Sequence, residues 1–184
     1  MSEKVVLQHD DLRRTLRRIA HEIAEKNPEP ARLAVVGIHT RGAVLARRLH
    51  TFLGELTGAE LPIGDIDISF YRDDVGARTP AAQPIVHDSH IDFALADRTV
   101  VLVDDVLFTG RTIRAAIEAL FDYGRPARVQ LACLADRGHR ELPIRPDYIG
   151  KNLPTAREER VQVQLVEIDE VDQVLLIPAK ETNG

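Results

Sequence analysis

Apolar residues in this chain follow two periods that alternate along its length. From Asp10 to Lys26, Leu12, Leu16, Ile19, Ala20 and Ile23 recur at helical spacing. Asp10 or Asp11 is placed to cap the start, and Pro28 closes the end. At about 100° per residue, Arg14, Arg17, Arg18 and His21 fall on the opposite face. LAVVGI, residues 33–38, then reads as a buried strand, followed by a glycine-containing turn and a helix with Leu45, Leu49, Phe52, Leu53 and Leu56 on its apolar side. DIDISFY, residues 65–71, alternates and reads as a half-exposed strand. Residues 72–84 carry prolines, a glycine and charges, the mark of a loop. TVVLV (99–103) and VQLACL (129–134) are further buried strands, with a helix between them marked by Ile113, Ala116, Ile117 and Leu120. A polar, proline-rich stretch (136–160) precedes two short terminal strands, near 161–168 and 173–177.

Strands alternating with helices predict a single α/β domain over residues 1–184, its mostly parallel sheet flanked by helices. A chain of 184 residues with 44% apolar and 29% charged positions sustains such a core unaided. Its single cysteine, Cys133, excludes an internal disulfide and a multi-cysteine zinc site, and inside an apolar strand it reads as a packed thiol. No apolar run reaches membrane-span length and the N-terminus lacks a secretion-signal core, so the expected location is the cytoplasm, with no membrane partner. The net charge of −5 argues against indiscriminate nucleic-acid binding but leaves room for a local basic face.

The chemistry concentrates in VVLVDDVLFTGRT, residues 100–112. A buried strand delivers Asp104 and Asp105 to the carboxyl edge of the sheet, where open α/β folds bind ligands. The next turn opens a helix, whose unpaired amides and positive dipole end suit a phosphate. Gly110 permits close backbone approach, and Thr109 and Thr112 add hydroxyl donors. Phosphate alone would not need the acidic pair, whereas a phosphorylated sugar would, because carboxylates accept hydrogen bonds from ribose hydroxyls. The glycine and lysine pattern of a Walker loop is absent. GIHTRG, residues 37–42, has the position of a second anion loop, with Arg41 facing negative charge.

Strand, acidic pair and TGRT turn together resemble the phosphoribosyl-pyrophosphate (PRPP) motif of type I phosphoribosyltransferases. The resemblance implies that family's fold, with a flexible loop at about 72–84 and a small hood drawn partly from about 136–160. It implies Mg²⁺, held by Asp104 and Asp105 only indirectly, through PRPP and water. It assigns Asp104, Asp105 and Arg41 to catalysis, and Val106, Leu107, Phe108, Thr109, Gly110, Arg111 and Thr112 to the nucleotide phosphate. Thr40 and Arg41 would take pyrophosphate, which the family often holds through a strained peptide; Arg72, and with it Arg78, would carry charge towards that group as it leaves. Arg137 and the backbone near Val161 would border the base.

Beyond the PRPP motif, YRDD, RIAHEI and RGHRELPIR resemble one subgroup, the pyrimidine-operon attenuation regulators that are also uracil phosphoribosyltransferases. That likeness implies transfer of ribose 5-phosphate from PRPP to uracil, with UMP and pyrophosphate as products. It also implies binding of leader mRNA, promoted by UMP or UTP, by a homodimer or homotetramer. Arg14, Arg17, Arg18, His21, Arg140, Arg145 and Lys151 are the RNA-binding candidates. Arg17 stands where the subgroup pattern leads one to expect threonine, and Phe108 where the family often has tyrosine. The alternative is a phosphoribosyltransferase for a purine or orotate without RNA regulation, since the PRPP loop does not encode the acceptor.

Overall fold

The computed structural model describes residues 3–71 and 88–179. The chain opens with strand β1 (Lys4–Gln8) and helix α1 (His9–Lys26), followed by β2 (Leu33–Ile38), α2 (Arg41–Thr57) and β3 (Ile63–Ile66). After residue 88 come β4 (Thr99–Leu107), α3 (Arg111–Phe121), β5 (Arg128–Asp136), β6 (Tyr148–Asn152), β7 (Arg160–Gln164), the short α4 (Val166–Asp169) and β8 (Gln173–Ile177). Five strands form a parallel sheet in the order β3-β2-β4-β5-β6, and β1-β8-β7 form a separate antiparallel sheet.

Every residue of β2 is buried, as an apolar run covered on both faces requires. Successive side chains of a strand point to opposite faces. Val35, Val101 and Val103 accordingly join the cluster of α1 and α2, with Leu12, Leu16, Ile19, Leu45 and Leu49. Ala34, Val36, Val100 and Leu102 face the other way, onto Ile113, Ala116 and Leu120 of α3. The small sheet is fastened to the α1/α2 side through Leu7, Val163 and Val174. Among the described residues no helix is long and apolar enough to cross a membrane.

The structure departs from the sequence pattern where elements are short. The N-cap of α1 is Gln8 rather than Asp10 or Asp11; Asp11 sits at the third helical position and accepts the Gln8 N–H at 3.2 Å. The strand expected over 65–71 ends at Ile66, because the Asp67 carboxylate captures the Ser69 N–H at 2.8 Å and turns the chain out of the sheet. Residues 166–169, expected as the end of a strand, form a helical turn in which Asp172 and Asp169 accept the Val166 and Leu165 N–H groups. Leu56 ends on the exposed side of α2. Within the stretch expected to form a hood, β6 is an edge strand of the central sheet, anchored by the buried Tyr148 hydroxyl on Gln130 (2.8 Å) and Asn27 (3.1 Å).

Candidate active site and basic face

The carboxyl end of β4 brings Asp104 and Asp105 to the sheet edge, Asp104 almost wholly buried. Each directs one oxygen at the next backbone amide, Asp105 N–H at 2.9 Å and Val106 N–H at 2.8 Å, which orients both carboxylates. The chain then turns through Gly110, whose φ of 92° is the left-handed conformation glycine tolerates, and α3 begins. Asp104, residues 106–113 and Glu141 enclose a cavity of about 410 Å³. It is open to the first-turn amides of α3, where an anion is favoured. Arg111 reaches across to Glu141, Nε to Oε2 at 2.8 Å. Arg111 and then Arg157 hold the Glu141 carboxyl below the usual carboxylate range.

The second loop lies against this one. Residues 39 and 40 are joined by a cis peptide, and α2 starts at Arg41. A Cβ on Gly42 would stand 2.5 Å from the Val103 carbonyl oxygen and 3.2 Å from Asp104 Cα, so only glycine lets the two loops meet. Thr40 is exposed at the turn. The Arg41 guanidinium donates to Asp169 at 2.8 Å, while its Nε is buried without a partner. Behind the loop, one Asp65 oxygen receives both His39 Nε2 (2.6 Å) and His90 Nδ1 (3.1 Å). Burial raises the Asp65 pKa, but the two imidazoles outweigh it and the net shift is downward; His90 is pushed up in return.

On the other side of the 106–113 loop, the Arg137 guanidinium lies over the Phe108 ring, 4.0 Å from its centroid. Arg137 is buried and donates to Thr155 Oγ1 (3.2 Å) and the carbonyls of Ala156 (3.2 Å) and Arg157 (3.1 Å). Burial lowers its pKa. Val161 lies in β7, in the small sheet, paired with Leu176. Arg72 and Arg78, with the whole loop expected over 72–84, lie outside the described residues.

The basic residues divide into three groups. Arg18 pairs with Glu22 at 2.5 Å and donates to the carbonyls of Ile149 (2.9 Å) and Gly150 (2.6 Å), tying α1 to β6. The Gln8 N–H and then Arg14, which pairs with Asp11 at 2.7 Å, hold the Asp11 carboxyl below its usual range, and this packing brings Lys151 close enough to add to them. His21 is exposed on the same helix. Arg17 turns to the other flank, onto Glu55 and the Phe52 ring of α2. Arg140 departs further from the sequence expectation of a surface cation. Its guanidinium is directed inward, to Asp136 (2.5 Å), the Phe108 carbonyl (2.8 Å) and the Ile144 carbonyl (2.8 Å). Arg145 remains exposed on a cleft of about 720 Å³ beside it.

Residues 4–170 match the phosphoribosyl transferase domain family. The chain is 56% identical to the bifunctional protein PyrR of Roseiflexus sp. (strain RS-1), over all of both chains. It is 56% identical to PyrR of Deinococcus radiodurans, over 96% of this chain and 95% of that one. With PyrR of Listeria monocytogenes the identity is 51%, over 96% and 97%. The chain belongs to the phosphoribosyltransferase family, among the PyrR proteins. Its backbone also resembles a hypoxanthine phosphoribosyltransferase from Staphylococcus aureus, with a TM-score of 0.72 at 20% identity, covering 95% and 91% of the two chains. The corresponding enzyme of Trypanosoma cruzi, in complex with the product IMP, gives 0.71 at 17% identity, covering 95% and 89%.

This is the type I phosphoribosyltransferase fold, and here Gly42 at the start of α2 packs against the end of β4. Asp104, the 106–112 run, Arg137 and the 40–41 turn lie on loops that contact one another or the shared cavity. Asp65, Glu141 and Asp169, which contact these loops, gave no signal in the sequence, because the loop residues they hold, His39, Arg111 and Arg41, lie 26, 30 and 128 residues away.

Proposed function

We propose that this chain is an RNA-binding attenuator of pyrimidine-gene transcription, responsive to uridine nucleotides, that also transfers ribose 5-phosphate from PRPP to uracil. The observation that carries the reading is the acidic pair and helix-opening phosphate loop at the end of β4, in a chain similar over its full length to proteins named bifunctional. The reading makes the protein a cytoplasmic homodimer or homotetramer.

In the transferase reaction, the α3 amides with the Thr109 and Thr112 hydroxyls hold the 5′-phosphate. Asp104 and Asp105 accept hydrogen bonds from the ribose hydroxyls, and the 40–41 turn receives pyrophosphate. Arg137, stacked on Phe108, borders the base together with the backbone near Val161. Holding both reactants in one geometry removes much of the entropic part of the barrier. Adjacent carboxylates are hard oxygen donors and suit Mg²⁺. Among the described residues no group of three or more acidic, histidine or cysteine side chains is placed to hold a metal, and Asp104 and Asp105 would hold the ion only indirectly, through PRPP oxygens and water. Bound there, Mg²⁺ supplies charge neutralisation to the departing pyrophosphate.

For RNA, the exposed basic residues Arg14, Arg18, His21 and Lys151 give a face for the phosphate backbone, and Arg145 a second point of contact. Arg140 serves that face by shaping the loop that carries Arg145. The test is a titration against a pyrimidine-operon leader hairpin and a scrambled RNA, at two salt concentrations, with and without UMP, alongside a transfer assay offering uracil, orotate and hypoxanthine. Selective, UMP-enhanced binding and transfer to uracil are expected. Arg145→Gln should weaken RNA binding and lower the salt dependence by about one counterion, leaving transfer intact. Binding that ignores sequence and UMP, or transfer to another base, would overturn the corresponding half.

A further inference from the structure

A single loop separates two cavities. Glu141 lines the cavity of the phosphate loop, whereas its neighbours Arg140, Leu142, Ile144 and Arg145 line the larger cleft on the other side. The loop is fastened to the phosphate loop by backbone bonds: Arg137 N–H donates to the Leu107 carbonyl at 3.1 Å, and Glu141 and Leu142 N–H both donate to the Thr109 carbonyl, at 2.9 and 3.1 Å. Ile144 and Leu142 pack over Gly110, 3.4 and 3.5 Å from where a Cβ would stand. Two charged side chains also link the loops: Arg111 pairs with Glu141 at 2.8 Å, which extends to Arg157 at 2.9 Å, and Arg140 donates to the Phe108 carbonyl at 2.8 Å.

An anion entering at the first turn of α3 meets the first of these links directly. It competes for the Arg111 guanidinium, and it sets a second negative charge beside the Glu141 carboxylate on the wall of the same cavity. Two like charges a few ångströms apart repel, and more strongly away from bulk water. Phosphate therefore binds better to the state in which Arg111 has left Glu141, which is the differential affinity a population shift requires.

We propose that Glu141 couples the two cavities: a nucleotide phosphate on the α3 loop draws Arg111 away from it, and the 138–145 loop, still held by its backbone bonds to Leu107 and Thr109, shifts the already exposed Arg145 into register with RNA. The inference rests on the regulator reading above and specifies how its nucleotide response arises. Coupling of this kind is reciprocal, so RNA tightens nucleotide binding by the factor by which nucleotide tightens RNA binding.

The experiment measures leader-RNA affinity with and without UMP, and UMP affinity without RNA, for the wild-type chain, Glu141→Gln and Glu141→Ala. In the wild type, UMP should tighten RNA binding by a factor in the usual range for coupled sites, about 5–150-fold. Both variants should bind RNA without UMP as tightly as the wild type does with it, and should bind UMP more tightly than the wild type. Tight UMP binding would also show that their nucleotide pocket is folded. Variants that still respond to UMP, or that are unresponsive at the weak affinity of the nucleotide-free wild type, would overturn the coupling and leave the regulator reading standing. A wild type whose RNA binding ignores UMP would remove both.

Discussion

Asp104 and Asp105 are adjacent in the chain and end one strand, so the sequence alone brought them together, and the structure added their orientation by the following amides. Hydrogen bonds to a charged group contribute about 1.5–3 kcal/mol each. Replacing both aspartates by asparagine should therefore cost about 3–6 kcal/mol of transition-state binding, roughly 10²–10⁴ in kcat/KM. The thermal midpoint should change little, because asparagine keeps the shape and the amide-facing oxygen. Steady-state kinetics with PRPP and uracil decides it, and near-normal turnover would remove the acidic pair from the mechanism. Cys133, beside Asp104 in the sheet register, is the opposite case: burial pushes its thiol well above the usual range and the neighbouring carboxylates push it further, so it packs rather than reacts. Asp65 was not legible, since its role depends on His39 and His90, which reach it from before β3 and from beyond residue 88.

At the scale of elements, apolar runs of five or six residues predicted β2, β4 and β5, because they are too short for a buried helix and, in β2 and β4, rich in β-branched residues. Strands β1 and β6 passed unnoticed: each is five residues long, has a single buried residue, and is placed by its partner strands. The contact of α2 with β4 was equally invisible, although it sets the distance between the two anion loops. Gly42→Ala would press a methyl group against backbone, an overpacking that costs about 1–3 kcal/mol. At about 2–4 °C per kcal/mol for a chain this size, the melting temperature should fall by about 2–12 °C, and the KM for PRPP should rise as α2 shifts from β4. Gly54→Ala is the control in the same helix, where the nearest atom is 3.9 Å away and the substitution should be neutral or stabilising by up to about 1 kcal/mol. Equal melting of the two variants would discard the close-approach argument.

Across the whole molecule, one charged cluster ties both chain ends to the central domain. Arg48 of α2 donates to Asp172 at 2.7 and 3.0 Å and to Glu167 at 2.5 and 2.9 Å, while His9 reaches Asp172 from the start of α1. The Asp172 side chain is only 3% exposed. Burial raises its pKa, but the bonds from Arg48, Val166 N–H and His9 prevail and hold it below the usual range. The folded state thus binds this proton less tightly than the unfolded chain. Its stabilisation is complete above the unfolded pKa, about 3.9, and fades as pH falls through the lower folded value. Asp172→Asn should cost about 3–5 kcal/mol at pH 7, since it leaves part of a buried pair uncompensated. The melting temperature should drop by about 6–20 °C there, with the gap to wild type closing below about pH 4. A gap of the same size at pH 3 and pH 7, measured by calorimetry, would show that packing and not charge holds the chain ends.

The sequence by itself determined the parallel sheet, the loop that ends β4 and the acidic pair that opens it, because each is written in neighbouring residues and in a period of two or 3.6. Tertiary structure alone decided which basic side chains stay exposed and which are held within the loop. Arg140 and Arg145 stand five residues apart in one basic stretch, yet one guanidinium is directed to backbone carbonyls and Asp136 while the other remains exposed. Lys151 joined Arg14 and Arg18 only because β6 packs along α1. Glu141 came to lie between two cavities only because its loop folds back on Thr109. These roles depend on which distant atoms are within hydrogen-bonding reach, and no local pattern records that.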